Sequence, residues 1–268
     1  MHRSSYSKME AFFRVYLDRF PVGPQSKRRI LEVGSQSYEG QASYRSLIDA
    51  EVCDYTGLDL SMGSNVDIVP AMPFVWNELP DACFDVCISG QTFEHNPFFW
   101  VTASEMARVL VPGGWLCLIA PGAGPVHRYP MDCWRFYPDA WSALCALVGL
   151  ELVETYWEPD SAAPLVQGGE WRDALLIARK PLVESGSFAG AAERRAQLTA
   201  PFQSGFGHFE PVSYRPGPAI EDYLAVVDSG KRRTRLKYLR QKVARRIHPN
   251  SARLFKPPEA DDGDGSTA

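Results

Sequence analysis

The chain has 268 residues, 45% of them apolar, and a formal net charge of -4, which is material for one sizeable α/β domain with an appended segment. No apolar run is long enough to cross a bilayer, and the N-terminal MHRSSYSKMEAFFRVYLDRF carries charges where a secretory leader would be apolar, so a cytoplasmic protein is expected. The six cysteines (Cys53, Cys83, Cys87, Cys117, Cys133 and Cys145) form no CxxC pair and fall in apolar runs, which reads as reduced core residues rather than a disulfide or metal framework.

Tyr6, Met9, Phe13, Tyr16 and Phe20 recur at spacings of three and four, so residues 1–29 are expected to carry an amphipathic helix laid on the main domain and closed by Pro21, Gly23 and Pro24. An alternating series follows. Strands are predicted at Ile30 to Val33, Tyr55 to Asp59, a short one at Val66 to Val69, and Phe84 to Ser89, with a helix within Ala42 to Asp49. Phe99, Ala103, Met106, Val109 and Leu110 share a helical face, and Pro112, Gly113 and Gly114 end that helix before a strand at Trp115 to Ala120. A helix beginning at Pro138 and ending near Val148 precedes two closing strands, Glu151 to Trp157 and Ala174 to Ala178, separated by a loop or hairpin arm at Pro159 to Gly169. Such alternation with short connections predicts a Rossmann-like, doubly wound, mostly parallel sheet with helices on both faces, occupying residues 30–180.

Beyond Pro181 the periodicity fades. Residues 181–230 read as a linker or insertion, 231–256 as a basic amphipathic helix marked by Leu236, Leu239, Val243 and Ile247, and 257–268 as a disordered, acid-rich tail. The basic face of that helix is a solvated surface or, at 231–247, a contact for a membrane surface or partner protein. Nucleic acid is not an expected partner, because no aromatic-interleaved basic surface accompanies it.

The order of motifs carries the functional reading. An apolar strand ending in Glu32 and Gly34, followed about 25 residues later by one ending in Asp59, is what a doubly wound sheet needs to hold an adenosine-type cofactor. No G-x-G-x-x-G follows the first strand, which disfavours a nicotinamide dehydrogenase. ILEVGS, GLDLS, FDVCISGQTFEHNP and EMARVLVPGGWLCLIAP resemble, in order and spacing, the class I S-adenosylmethionine-dependent methyltransferases, especially the broad bacterial methyltransferase-domain group, over roughly Ile30 to Lys180.

That resemblance implies S-adenosyl-L-methionine as cofactor. It implies Glu32 near the sulfonium and amino group, Gly34, Ser35 and Gln36 in the loop that approaches the methionine part, and Asp59 with Leu60 at the ribose. Ile68 would pack on the adenine, and Gln91, Thr92 and Phe93 would close the pocket. The loop departs from the family's glycine-rich form, with Gln36 and Tyr38 where further glycines stand. Asp67 is the nearest acidic residue for the adenine amino group, the family's position falling at Pro70 or Ala71.

Residues 127–138 are similar to an H-x-Y-P-x-D-x-W-R-F-x-P run of a subgroup often encoded near surface-polysaccharide genes, which implies a glycan or other small acceptor. His127 is the expected general base for O-methylation, with Asp132 orienting it, Arg135 holding an anionic acceptor, and Tyr129, Trp134 and Phe136 forming an aromatic wall; no metal is assigned. Glu94 and His95 open a helix, where a carboxylate is explained by capping and the helix dipole. The competing expectation is a catalytically silent methyltransferase-like module acting as a scaffold through its basic helix.

Overall fold

A computed structural model describes residues 3–22, 27–37, 42–157, 171–183 and 189–207, with positions 186, 211, 212 and 220. The chain divides into units Met1–Pro211 and Val212–Ala268, and the architecture below is that of the first. The expected basic helix at 231–256, the acidic tail, and the arm at Pro159 to Gly169 lie outside the described residues.

Six strands form one sheet: β1 (Arg28–Val33), β2 (Cys53–Leu58), β3 (Phe84–Gly90), β4 (Leu110–Pro121), β5 (Glu151–Trp157) and β6 (Asp173–Arg179), in the order β2-β1-β3-β4-β6-β5. The pairings β1 with β2, β1 with β3 and β3 with β4 are parallel. β6 instead runs antiparallel to both β4 and β5. Adjacent strands joined without a crossover helix pair as an antiparallel ribbon, so the sheet is mixed on this side. The chain reverses direction between β1 and β3, and the crevice at the carboxyl ends of those strands is the switch point where doubly wound sheets take ligands.

Alternation along the strands sorts the core onto two faces. Leu31, Val33, Cys87, Leu116, Leu118, Leu176 and Ala178 face α2 (Phe99–Val109) and α3 (Pro138–Val148). Ile30, Val86, Ile88, Trp115, Cys117, Ile119, Leu175 and Ile177 face the N-terminal helix α1 (Arg3–Tyr16). α1 buries Met9, Phe12, Phe13 and Tyr16, and the Tyr16 ring lies 4.9 Å from Trp115 between centroids.

Several expectations shift. The strand expected at Val66 to Val69 is reduced to one bridge, Leu58 with Ile68, because Asp67 turns inward to accept the Gly57 N–H at 2.8 Å. The helix expected within Ala42 to Asp49 is a single 3-10 turn, Tyr44–Leu47. β4 begins at Leu110 rather than Trp115, with Gly113 at a φ of 80° carrying an irregularity within the strand. The Lys180 ammonium donates to the carbonyls of Ala107 and Leu110 at 2.7 and 2.6 Å, satisfying acceptors that the end of α2 leaves over.

Within the segment read as a linker, α4 (Ala191–Gln203) forms. Its apolar pattern is weak, and long-range polar contacts fix it: Arg195 donates to Glu105 of α2 at 3.0 Å, Arg194 donates to the Leu147 carbonyl at 2.9 Å, and Phe202 packs on Phe74 and Phe98. The six cysteines are free thiols. Among the described residues, no helix is long and apolar enough to cross a membrane.

α1 is tied to the sheet by a buried charge as well as by packing. Asp173, 0% exposed at the start of β6, accepts from Ser4 Oγ at 2.8 Å, Lys8 Nζ at 3.1 Å and Gln91 Nε2 at 3.1 Å. Removing one partner of a buried ion pair costs about 3–5 kcal/mol, because the other charge is left uncompensated. Lys8→Met is therefore expected to lower stability by that amount in urea unfolding, and Asp173→Asn in the same chain to recover a large part of it.

Candidate active site

The loop after β1 turns through Gly34, whose φ is 78°, and a Cβ built there would lie 2.0 Å from Thr92 Oγ1. A glycine is required twice over, by the left-handed backbone and by the approach of the loop after β3. Ser35 is buried, and its hydroxyl has no hydrogen-bond partner among the described residues. Asp59, just past β2, faces this loop: Oδ2 accepts the Gln36 N–H at 2.9 Å and Oδ1 accepts the Leu60 N–H at 2.7 Å. The Gln36 side chain lies along the turn after Asp59 and accepts from Ser61 Oγ at 3.2 Å, while the Leu60 side chain is exposed. Ile68 is half-buried beside Leu58 and packs against the α2-side core.

Glu32 is 2% exposed on the α1 face, where its Oε2 accepts from Tyr55 at 2.7 Å. Burial pushes its pKa up to about 8, against the Tyr55 hydrogen bond and with help from Asp59. Behind it Tyr44 is fully buried, hydrogen-bonded to Ser5 of α1 at 2.5 Å, and fills the space above Gly90, so that α1 supports the floor of the crevice.

The loop after β3 contains a group that reading the sequence missed. Glu94 caps no helix: it lies in a 3-10 turn, Phe93–His95, and α2 starts later, after Phe98. Its carboxylate is 0% exposed, and neither oxygen has a hydrogen-bond partner among the described residues. Burial raises its pKa to about 8. His95 Nε2 is 3.6 Å and His127 Nε2 4.0 Å from Glu94 Oε1, and the two imidazole centroids are 4.7 Å apart. Burial lowers the His95 pKa, and its Nδ1 lies 2.6 Å from the Met131 carbonyl. The 131–134 stretch is pinned in place by the Glu94 carbonyl, which accepts from the N–H of Cys133 at 2.7 Å and of Trp134 at 3.2 Å.

The structure brings together His127 and Asp132 but reassigns Arg135. Asp132 Oδ2 accepts the His127 backbone N–H at 2.8 Å and lies 3.4 Å from its Nδ1. Arg135 grips both Asp132 oxygens at 2.6 and 2.8 Å and also donates to the Pro125 carbonyl at 2.7 Å, so its fork holds the loop rather than an acceptor. Burial opposes ionisation of Asp132, but these bonds outweigh it and lower its pKa. Trp171 lies 4.5 Å from His127 between ring centroids.

Phe93, expected to close the cofactor pocket, and Phe136, expected in the acceptor wall, both turn inward. Phe93 is a core residue set against Phe99 and Phe136, and Phe136 stacks on Trp141 at 4.6 Å with planes 5° apart. Tyr129 and Trp134 stay exposed. Gln91, at a φ of 56°, is committed to Asp173, and Asp67, bonded to Gly57 N–H, points at strand β2.

Residues 31–118 match the family model of the methyltransferase domain.

Solved structures similar to the chain include the CurJ carbon methyltransferase, at 13% identity and a TM-score of 0.48 over 66% of this chain and 54% of that one, so the chain spans about half that protein's length. Another is the 1,6-didemethyltoxoflavin-N1-methyltransferase of Burkholderia thailandensis with bound 1,6-didemethyltoxoflavin and S-adenosylhomocysteine, at 16% identity and a TM-score of 0.49 over 67% of this chain and 79% of that one. A SAM-dependent methyltransferase from Archaeoglobus fulgidus is 15% identical with a TM-score of 0.47 over 66% and 95%. No curated protein matches the chain.

Gly34→Ala places a Cβ onto Thr92 and demands a left-handed alanine, costing about 1–2 kcal/mol in backbone alone. Calorimetry with S-adenosylmethionine is expected to show at least a tenfold loss of affinity. Glu32 holds its proton up to about pH 8 in the fold but releases it near 4.5 when unfolded, so stability falls as pH rises through that window. The stability difference between the parent chain and Glu32→Gln, followed by urea unfolding from pH 5 to 8, is expected to shift in favour of the variant by up to about 1.4 kcal/mol per pH unit.

Proposed function

We propose that the chain is a class I S-adenosylmethionine-dependent methyltransferase that methylates a hydroxyl of a small-molecule or glycan acceptor, with His127 taking the hydroxyl proton. The observation that carries the reading is the group of buried Glu94 and half-buried His95 and His127 at the carboxyl end of the sheet, joined to the Gly34 turn through the loop after β3.

The residues fit the cofactor. The Gly34 backbone leaves no room for a side chain, Ser35 offers a buried hydroxyl without a partner among the described residues, and the Asp59 carboxylate stands beside the loop with both oxygens facing backbone amides. In this reading Glu32, Gly34, Ser35, Gln36, Asp59 and Leu60 line the methionine and ribose side, Ile68 the base, and Gln91 and Thr92 the rim. S-adenosylmethionine, when bound, supplies a methyl group already activated by a sulfonium.

The protein's own task is then placement and proton removal. Holding a hydroxyl oxygen in line with the methyl can supply on the order of 7–11 kcal/mol of the barrier. Asp132, fixed by the Arg135 fork, orients the His127 loop, and the uncommitted Nε2 faces the cluster. Trp171 beside His127 and the exposed Tyr129 and Trp134 give apolar surfaces for a ring-bearing acceptor such as a sugar. A cytoplasmic setting belongs to this reading and agrees with six free thiols.

His127→Ala is expected to lower kcat by about 10²–10⁴ while S-adenosylmethionine affinity, measured by calorimetry, changes by less than about threefold. An equal loss in cofactor affinity would remove His127 from the acceptor side. Calorimetry giving no heat with either the cofactor or its demethylated product would instead point to the scaffold module.

A further inference from the structure

We infer that Glu94, His95 and His127 form a binding site for one first-row divalent transition ion. The three donor atoms lie within 4.8 Å of one another, with Glu94 Oε1 common to both closest approaches, 3.6 Å to His95 Nε2 and 4.0 Å to His127 Nε2. Donors around a tetrahedral zinc, at bonds of about 2.0–2.1 Å, are separated by roughly 3.3 Å, so an ion is accommodated by side-chain contraction of an ångström or so.

Two further features point the same way. The Glu94 carboxyl group is completely buried with neither oxygen partnered among the described residues, which leaves two oxygen donors inside the fold for a cation to meet in place of a proton. The outer nitrogen of each imidazole has an acceptor beside it: His95 Nδ1 the Met131 carbonyl at 2.6 Å, and His127 Nδ1 the Asp132 carboxylate at 3.4 Å, the second close but without a hydrogen bond among the described residues. A proton on each Nδ1 leaves the Nε2 lone pairs directed at Glu94. Metal-ligating histidines are oriented in this way by a carbonyl or carboxylate behind the ring. Two nitrogens and one oxygen select zinc, manganese or a neighbouring ion over magnesium or calcium, which take oxygen ligands.

Three protein ligands leave at least one position open. The inference rests on the O-methylation reading only for what fills that position: with the ion bound, His127 is a ligand and an acceptor hydroxyl held there gives its proton to solvent more readily, so that the base role of His127 belongs to the ion-free site. The sequence alone gave no reason to assign a metal, since Glu94 and His95 read as a helix start.

The test uses the full-length, tag-free protein stripped with chelator, titrated with Zn2+ by calorimetry and with Mn2+ by electron paramagnetic resonance of the free ion, a readout that thiols do not disturb. One equivalent of Mn2+ is expected to bind, with Glu94→Gln, His95→Ala and His127→Ala each weakening it at least tenfold while far-ultraviolet circular dichroism stays unchanged. Binding of less than 0.2 equivalents at about 100 µM Mn2+, or equal affinity in a Glu94→Gln/His95→Ala double variant, would overturn the site. Stoichiometric, Glu94-dependent Mn2+ binding in a protein that methylates only nitrogen or carbon acceptors would uphold the site and sink the hydroxyl reading. Unaltered, His127-dependent hydroxyl methylation in chelated protein that binds no ion would do the reverse.

Discussion

Asp173 is the point through which the two halves of the molecule communicate. Its carboxylate is fully buried, yet it accepts from α1 through Ser4 and Lys8 and from the loop after β3 through Gln91. A buried carboxylate is tolerated only when its oxygens are met by donors, so these three donors are drawn together around one atom pair. The N-terminal helix is thereby registered on the sheet, and Gln91 is held at a positive φ at the mouth of the crevice. Thr92, which closes on Gly34, and Glu94, which faces the two histidines, follow directly in the chain.

Two other buried acids, Glu32 and Glu94, are handled differently. Glu32 shares a hydrogen bond with Tyr55, and Glu94 shares none among the described residues, so burial dominates both and raises their pKa to about 8. Asp132 is the contrast: Arg135 and a backbone amide hold it ionised. Glu94 and Asp132, near enough to influence one another, are thus shifted in opposite directions by their surroundings.

The parallel strands were legible because buried strands write continuous apolar runs, and β1, β3, α2 and α3 fall close to where periodicity places them. The pairing direction of β6 was not, since a strand flanked by buried faces carries the same composition whichever way it runs. α4 escaped notice because its place is set by Arg194, Arg195 and Phe202 reaching partners far away in sequence. Gly34 and Asp59 were readable from their position at strand ends. Glu94 was not, because adjacency to His95 says nothing of a histidine 32 residues on that folds back beside it. Phe136 misled for the same reason, since a stack on Trp141 looks in sequence like one more aromatic in a loop.

The staple made by Asp132, Arg135 and Phe136 has a consequence for how acceptor preference can drift. The backbone of the 122–137 loop is anchored from within, by a bidentate ion pair and a ring stack, while Val126, Tyr129 and Trp134 project outward. Under the proposed function, exchanging Val126 alters the surface an incoming molecule meets while the staple stays in place, whereas Tyr129 also packs edge-on against His95 and His127. In that reading the outer rim of the loop can vary while its inner staple is kept.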